Sequence, residues 1–220
     1  MISRLVSLHL AALACLMAFA TAAPAVAADD EQDGKWIPLF NGKNLDGWTP
    51  CENPDSFKVV DGELVVKGER GHLFYTGDVN KGDFKDFEWK CEIMTKPNAN
   101  SGMYFHTKVQ RRGWPGTGYE VQVNQTHPDP RKTGGLYGIV DVMDESPVKD
   151  NEWYTQHVIV KGKRIIIKVN GKTTVDYTEP DELPKAQADS NRRLSHGTFA
   201  IQAHDPGSEV HYRKIDVKLP

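Results

Sequence analysis

The chain has 220 residues, of which 27 are basic and 30 acidic, giving a formal net charge of −3. That length supports one sizeable core and does not demand two domains. The mildly negative balance, with no basic stripe, argues against nucleic acid as a partner. At the N-terminus, Arg4 is the only charged residue before Asp29, residues 5–20 are almost wholly apolar, and Ala25-Val26-Ala27 supplies an A-x-A cleavage pattern. A basic start, an apolar stretch and small residues read as a secretory signal over residues 1–27, so an exported protein, periplasmic or extracellular, is expected. The apolar stretch is too short for a membrane span, and no other segment approaches about 20 apolar residues. Residues 28–35 are polar and read as a loose leader. A single domain over 36–220 follows.

That domain reads as strand upon strand. Asp61-Gly62 separates a run at 57–60 from one at 63–67. Phe87, Trp89, Cys91 and Ile93 alternate with Glu88, Lys90 and Glu92, the period of a strand with one buried face. Asn170-Gly171 separates 164–169 from 172–176, and Asn-Gly between such runs is a strong hairpin signal because both turn residues need positive φ. Many short strands with regular turns predict an all-β sandwich or barrel. The one weak helix candidate is 184–191. Stretches 108–117, 125–133 and 178–195 read as long loops, where sites tend to be built over a rigid sheet. Cys51 and Cys91 could pair in an oxidising compartment. Alternatively, Cys91 is a small core residue of its strand.

Three strands carry the candidate chemistry. In 101–107, Met103 and Phe105 alternate with Tyr104 and His106. In 119–125, Val121 and Val123 alternate with Glu120, Gln122 and Asn124. In 198–205, Phe199, Ile201 and Ala203 alternate with Gln202 and His204. If the apolar sets share a core, the polar sets share the opposite face. An antiparallel sheet ordinarily has one wet polar face, but tyrosine, histidine and amides around a single glutamate suit the binding of hydroxyl groups. Loop residues Arg111, Arg112 and Trp114 stand nearby in sequence. Glycosidases of the usual kind need two carboxylates at a set separation, and among these polar alternates Glu120 is the only one. Serine-nucleophile, H-E-x-x-H, Walker and Rossmann signatures are absent. No spacing demands a cofactor, so none is expected, although His106, His204 and Glu120 together could hold a divalent metal.

At these strands the sequence resembles the 3-keto-disaccharide hydrolase domain family. The opening Trp36-Ile37-Pro38-Leu39-Phe40-Asn41-Gly42 through Asp46-Gly47-Trp48 is similar to the family's first segment. Asn100-Ser101-Gly102-Met103-Tyr104-Phe105, Gly118-Tyr119-Glu120-Val121-Gln122-Val123 and Gly134-Gly135-Leu136-Tyr137-Gly138 follow in the family's order. Asn151-Glu152-Trp153, Val169-Asn170-Gly171, Gly197 to His204 and Tyr212-Arg213-Lys214-Ile215 complete it. Each motif is modest, and their order is specific. The chain departs from the family at Tyr154, Asn124 and Lys214. The resemblance implies a concanavalin A-like jelly-roll sandwich of two antiparallel sheets. It also implies action on glycosides already oxidised at C3 of a sugar.

A 3-keto group acidifies the C2 hydrogen and puts the glycosidic oxygen β to the resulting carbanion. Such a route needs one base, one acid and donors for an enolate, not paired carboxylates. On this reading Glu120 is the base and His204 or His106 the acid. Gln122 and Gln202 hold hydroxyls or the enolate. Asn124, Tyr104, Tyr137, Trp114 and Arg111 complete the substrate-binding set. Two other readings stand beside it: a non-catalytic carbohydrate-binding module, which would bind sugars without turnover, and a surface protein with no sugar ligand, which would lack a pocket.

Overall fold

A computed structural model describes residues 34–220. The expected signal at 1–27 and most of the 28–35 leader lie outside the described residues. The described chain is all-β: β1 (Ile37–Pro38), β2 (Trp48–Cys51), β3 (Phe57–Val60), β4 (Glu63–Lys67), β5 (Gly71–Tyr75), β6 (Phe87–Thr95), β7 (Asn100–Thr107), β8 (Tyr119–Asn124), β9 (Arg131–Leu136), β10 (Val140–Met143), β11 (Tyr154–Lys161), β12 (Arg164–Val169), β13 (Lys172–Thr178), β14 (Thr198–Ala203) and β15 (Glu209–Lys218). One short helix, α1 (Lys185–Asp189), falls inside the weak helix candidate. The first sheet runs β13-β12-β11-β6-β15-β4-β3, with β1 beside β15, and the second runs β10-β9-β8-β7-β14-β5-β2. All pairings are antiparallel. This is the two-sheet sandwich that the alternation predicts.

The turns follow their sequences. Asp61-Gly62 and Asn170-Gly171 both take positive φ at both residues, which matches the right-handed twist of the flanking strands. In β6, Phe87, Trp89, Cys91 and Ile93 are buried while Glu88, Lys90 and Glu92 are half-buried. The core lies between the sheets. Phe199 of β14 stacks on Trp89 of β6 and on Phe84, with ring centroids 4.3 Å away in each case.

The second sheet differs from the first in one respect. Strands β7 and β14 are buried along their whole length, and β8 nearly so. Its outer face is therefore not a wet face. The loops at 108–118, 125–130 and 179–197 lie over it. The two cysteines sit on opposite sides of this sheet. Cys91 is in the core, whereas Cys51 packs on Phe74, Tyr104 and Ala200 at the outer face. Both are free thiols, so the considered pairing does not form.

The stack around Phe199 gives a stability test. Trp89 is fully buried, and removal of a buried large aromatic costs about 3–5 kcal/mol. Trp89→Ala should lose about that much in urea unfolding monitored by circular dichroism; a loss below 1 kcal/mol would show that this contact does not hold the sheets together.

Candidate functional site

Alternation sets the site. With Met103, Val121 and Ile201 in the core, Tyr104, Glu120 and Gln202 must point outward. Register then brings them together. Tyr104 pairs across the strands with Glu120 on one side and Ala200 on the other, and Gln202 pairs with His72 of β5. Gly102, beside Glu120, makes room for it: a Cβ there would lie 2.3 Å from the Glu120 Oε1. Burial of these groups is the notable feature. Asn100, Gln122 and Gln202 are at most 3% exposed, on a face that the ordinary antiparallel sheet would leave in water.

Above this floor is a cavity of about 320 Å³, lined among others by Tyr104, Glu120, Gln122, Tyr137, Gln202, His204 and Trp114. Seven of the residues singled out in the sequence thus meet in one pocket. Gln202 Nε2 donates to the Tyr104 hydroxyl at 2.8 Å and to Glu120 Oε1 at 3.0 Å. The Tyr104 hydroxyl in turn bonds to Glu120. The carbonyl oxygens Gln122 Oε1 and Gln202 Oε1 are buried without a partner. Burial pushes the Glu120 carboxyl up to about 7, against the pull of Tyr104, Gln202 and the nearby Arg192. Burial also raises the Tyr104 hydroxyl well above the ordinary tyrosine range, so it remains a proton donor.

His204 stands at the end of β14. Its Nδ1 donates to Asp205 Oδ2 at 2.7 Å. The same oxygen accepts from Ser208 Oγ at 2.8 Å, and Asp205 Oδ1 accepts from the Gly207 N–H at 2.8 Å. Burial pushes Asp205 up, but these bonds outweigh it and hold the carboxyl below the usual range. Asp205 thereby fixes the tautomer of His204 and leaves Nε2 to exchange a proton.

Three expected residues are elsewhere. His106 is not in the pocket. It has φ +55° at a bulge where the β7–β14 register shifts, and the extra residue breaks the alternation. Its Nε2 bonds to the Lys85 carbonyl and its Nδ1 accepts the Ser195 N–H. Asn124 is spent on closing the 125–130 loop: its Nδ2 donates to the Asp129 and Arg131 carbonyls and its Oδ1 accepts the His127 N–H. Arg111 is exposed on the 108–118 loop and is not among the lining residues.

Other lining residues were missed. Arg192 and Ser190 come from the 179–197 connection, and Asp129 from the 125–130 loop. Asp129 is a second carboxylate, so Glu120 is not alone in the pocket. It is tied down, however: Oδ1 accepts the Arg131 N–H at 2.9 Å and lies 3.8 Å from the Arg131 guanidinium. Arg192 and Arg131 both stack on the Tyr137 ring, at 5.3 and 4.9 Å. The connection carrying Arg192 is latched by the Tyr119 hydroxyl. It donates to Glu179 and accepts from Gln187 at 2.8 Å, while Glu179 also accepts the Leu194 N–H at 2.7 Å. Only the adjacency His204-Asp205 was visible as a local sequence signal.

Ligand atoms of His127, His204 and Asp205 lie within 4.8 Å of one another, a set that could hold a cation. The suggested set of His106, His204 and Glu120 is not formed, because His106 is at the bulge. In the smaller cluster, His127 Nδ1 accepts the Asp129 N–H at 3.1 Å, which puts its proton on Nε2, the nitrogen facing Asp205. His204 is hydrogen-bonded to the Asp205 carboxylate, and His127 Nε2 stands 4.0 Å from it.

Fold and site together define a lectin-type β-sandwich with a polar, sugar-sized pocket on the outer face of one sheet. The chain belongs to the 3-keto-alpha-glucoside-1,2-lyase-like domain family, whose model matches residues 35–218. That membership supports a carbohydrate-directed, glycosidase-type activity. No curated protein matches the chain. Among solved structures it is similar to a candidate glycosyl hydrolase from Parabacteroides distasonis, at 23% identity over 84% of this chain and 93% of that one, with a TM-score of 0.70. It is also similar to a carbohydrate binding module, CBM66, from Bacillus subtilis, at 12% identity over 79% and 96%, with a TM-score of 0.54. A galectin-like protein of unknown function from Bacillus subtilis matches at 12% identity over 84% and 94%, with a TM-score of 0.57. At these identities the likeness shows the sandwich fold. Among the described residues no helix is long and apolar enough to cross a membrane.

The raised Glu120 value has a stability consequence. The folded protein holds this proton more tightly than the unfolded chain, whose carboxyl titrates near 4.5. Its contribution is full below about 4.5 and is lost as pH rises through about 7. Glu120→Gln should therefore gain stability relative to wild type between pH 4.5 and 8. Chemical unfolding across that range checks this, and a flat difference would show that the carboxyl is not held in its protonated form.

Proposed function

We propose that this protein cleaves 3-keto-glycosides, including 3-keto-disaccharides, by elimination across C1 and C2 followed by addition of water. The observation that carries this reading is a buried carboxyl poised near 7 on the pocket floor, faced by neutral donors, with a carboxylate-oriented histidine at the rim.

The steps assign themselves by reach and charge. The Glu120 carboxylate takes the C2 proton, and the C–H electron pair moves to the C3 oxygen as an enolate. Arg192 on the pocket wall supplies positive charge for that oxygen, where it is most effective in a site shielded from water, while Gln202 and Tyr104 hold the Glu120 carboxyl in place. The enolate then collapses, a C1–C2 double bond forms, and the C1–O1 bond breaks. The departing oxygen takes the Nε2 proton of His204 in its imidazolium form, whose charge Asp205 balances, and the neutral Nε2 then takes a proton from the water that adds. Water later adds to C1 and a proton returns to C2, giving the 3-keto sugar. A base with a value near the working pH combines adequate strength with adequate ionisation. The route uses no metal. With residues 1–27 as an export signal, we place the activity outside the cytoplasm.

Asp129 favours a second reading, direct hydrolysis with a carboxylate pair. Its ties to Arg131 count against it. Unoxidised glucosides separate the two, since elimination requires the C3 ketone. The carbohydrate-binding module remains the non-catalytic alternative, and it predicts binding without turnover.

Glu120→Gln should lower kcat on a 3-keto-glucoside by about 10²–10⁴-fold, and wild-type kcat/KM should rise with pH through about 7. Both would be read from released aglycone, with and without a chelator. A variant within a few-fold of wild type would remove Glu120 as the base, and turnover of unoxidised glucosides that depends on Asp129 would replace elimination with direct hydrolysis by the carboxylate pair. Asp205→Asn should lower kcat by more than tenfold and displace one limb of the pH profile while leaving KM nearly unchanged; a change in KM alone would assign Asp205 to binding.

A further inference from the structure

The pocket has two unlike flanks. On the β9 side stand Tyr137 and Arg192, and on the β5 side stand Trp114 and His204. Trp114 is 45% exposed, the one aromatic among the large exposed apolar residues described. Exposure of an indole on a long Gly- and Pro-containing loop would ordinarily leave it free to wander. Here it is braced from three directions. Gln110 staples the loop from inside: its Nε2 donates to the carbonyls of Arg112, Gly113 and Trp114 at 2.8–3.1 Å, and its Oε1 accepts the Gly116 N–H at 3.0 Å. Glu52 accepts the Gly113 N–H at 3.1 Å and holds Arg70 through two bonds of 2.6 and 3.2 Å. The Arg70 guanidinium in turn lies 5.2 Å from the Trp114 ring. Buried His72 supports the indole from below, at 5.6 Å and nearly perpendicular.

An aromatic face held in place without a ligand is a binding surface whose ordering cost is already met. Its position says what it binds. His204, the proton donor, lies between the Trp114 ring at 5.5 Å and the His127 ring at 5.3 Å, and of these two Trp114 lines the pocket. The oxygen that receives that proton belongs to the leaving group, so the leaving group must sit on the Trp114 side and the oxidised ring on the side of Tyr137 and Arg192. We propose that Trp114 is a preformed platform for the ring of the leaving group, a second pyranose presenting its C–H face, with Gln110 and the Glu52–Arg70 pair as its positioning residues. This rests on the 3-keto-glycoside reading above for the direction of the bond.

The test compares three 3-keto-glucosides whose leaving groups are glucosyl, phenyl and methyl. For each protein, kcat/KM for the ring leaving groups is divided by that for methyl. Trp114→Ala should lower the glucosyl ratio about tenfold, the upper range for one ring-stacking contact, and Trp114→Phe should recover part of it. Gln110→Ala and Arg70→Gln should shift the ratio the same way by a smaller factor. Equal losses on all three substrates would overturn the platform, and a loss confined to phenyl would overturn the assignment to a sugar. If wild type turns over none of them, the same ratios are taken from calorimetric affinities. A glucosyl affinity ratio that still falls in Trp114→Ala keeps the platform and rejects the catalytic reading; an unchanged ratio rejects both.

Discussion

Phe199 lies between Trp89 and Phe84, stacked at 4.3 Å on each. Much of the molecule depends on that sandwich of rings. It joins β14 of one sheet to β6 of the other, and it decides which side of β14 is inside. Because side chains alternate across a strand, planting Phe199 and Ile201 in the core forces Gln202 to the outer face. A slip of one residue would turn Gln202 into the core and both hydrophobes to the outer face. The same constraint acts on β7 through Met103 and on β8 through Val121. The pocket floor is thus a by-product of core packing, and its geometry is as firm as the core beneath it.

The outer face then needs a reason to be dry. Burying amides, a tyrosine and a carboxyl is costly unless each finds partners. The loops supply cover, and Tyr104, Gln202 and Glu120 largely supply one another with hydrogen bonds. The accounts do not fully close, because the carbonyl oxygens of Gln122 and Gln202 remain unpartnered and Glu120 is pushed towards 7. A carboxyl pushed up by burial on the floor of a covered polar cavity is the pattern of a functional site.

How much of this the sequence discloses depends on distance along the chain. Period-two alternation and the Asp61-Gly62 and Asn170-Gly171 turns report local geometry, and local geometry is what they recover. The common facing of Tyr104, Glu120 and Gln202 is also legible, since it needs only alternation and a shared core. Alternation fails where a bulge intervenes, which is why His106 shares a sequence rhythm with Tyr104 but not its pocket. It also cannot tell a pocket amide from one used to close a loop, as Asn124 is. Arg192 and Asp129 come from irregular connections whose path is set by tertiary contacts such as Tyr119 with Glu179 and Gln187. No local pattern encodes those contacts. The Cys51–Cys91 question turns on which side of one sheet each thiol occupies, a fact of topology and not of spacing.

The two carboxylates of the pocket clarify the chemistry further. Direct glycoside hydrolysis asks one to act as an acid and the other as a base or nucleophile, each with its own titration. Here Asp129 is committed to backbone and guanidinium partners, while Asp205, outside the lining, is committed to His204. Glu120 alone is left with an uncertain proton at neutral pH. A substrate that carries its own activating ketone requires no more than one such base, because the electron sink travels with the sugar. On the proposed reading, one base on the floor and one acid on the rim suffice for a substrate already oxidised by a preceding enzyme, and the walls, Tyr137 and Arg192 on one flank and Trp114 on the other, are left for recognition.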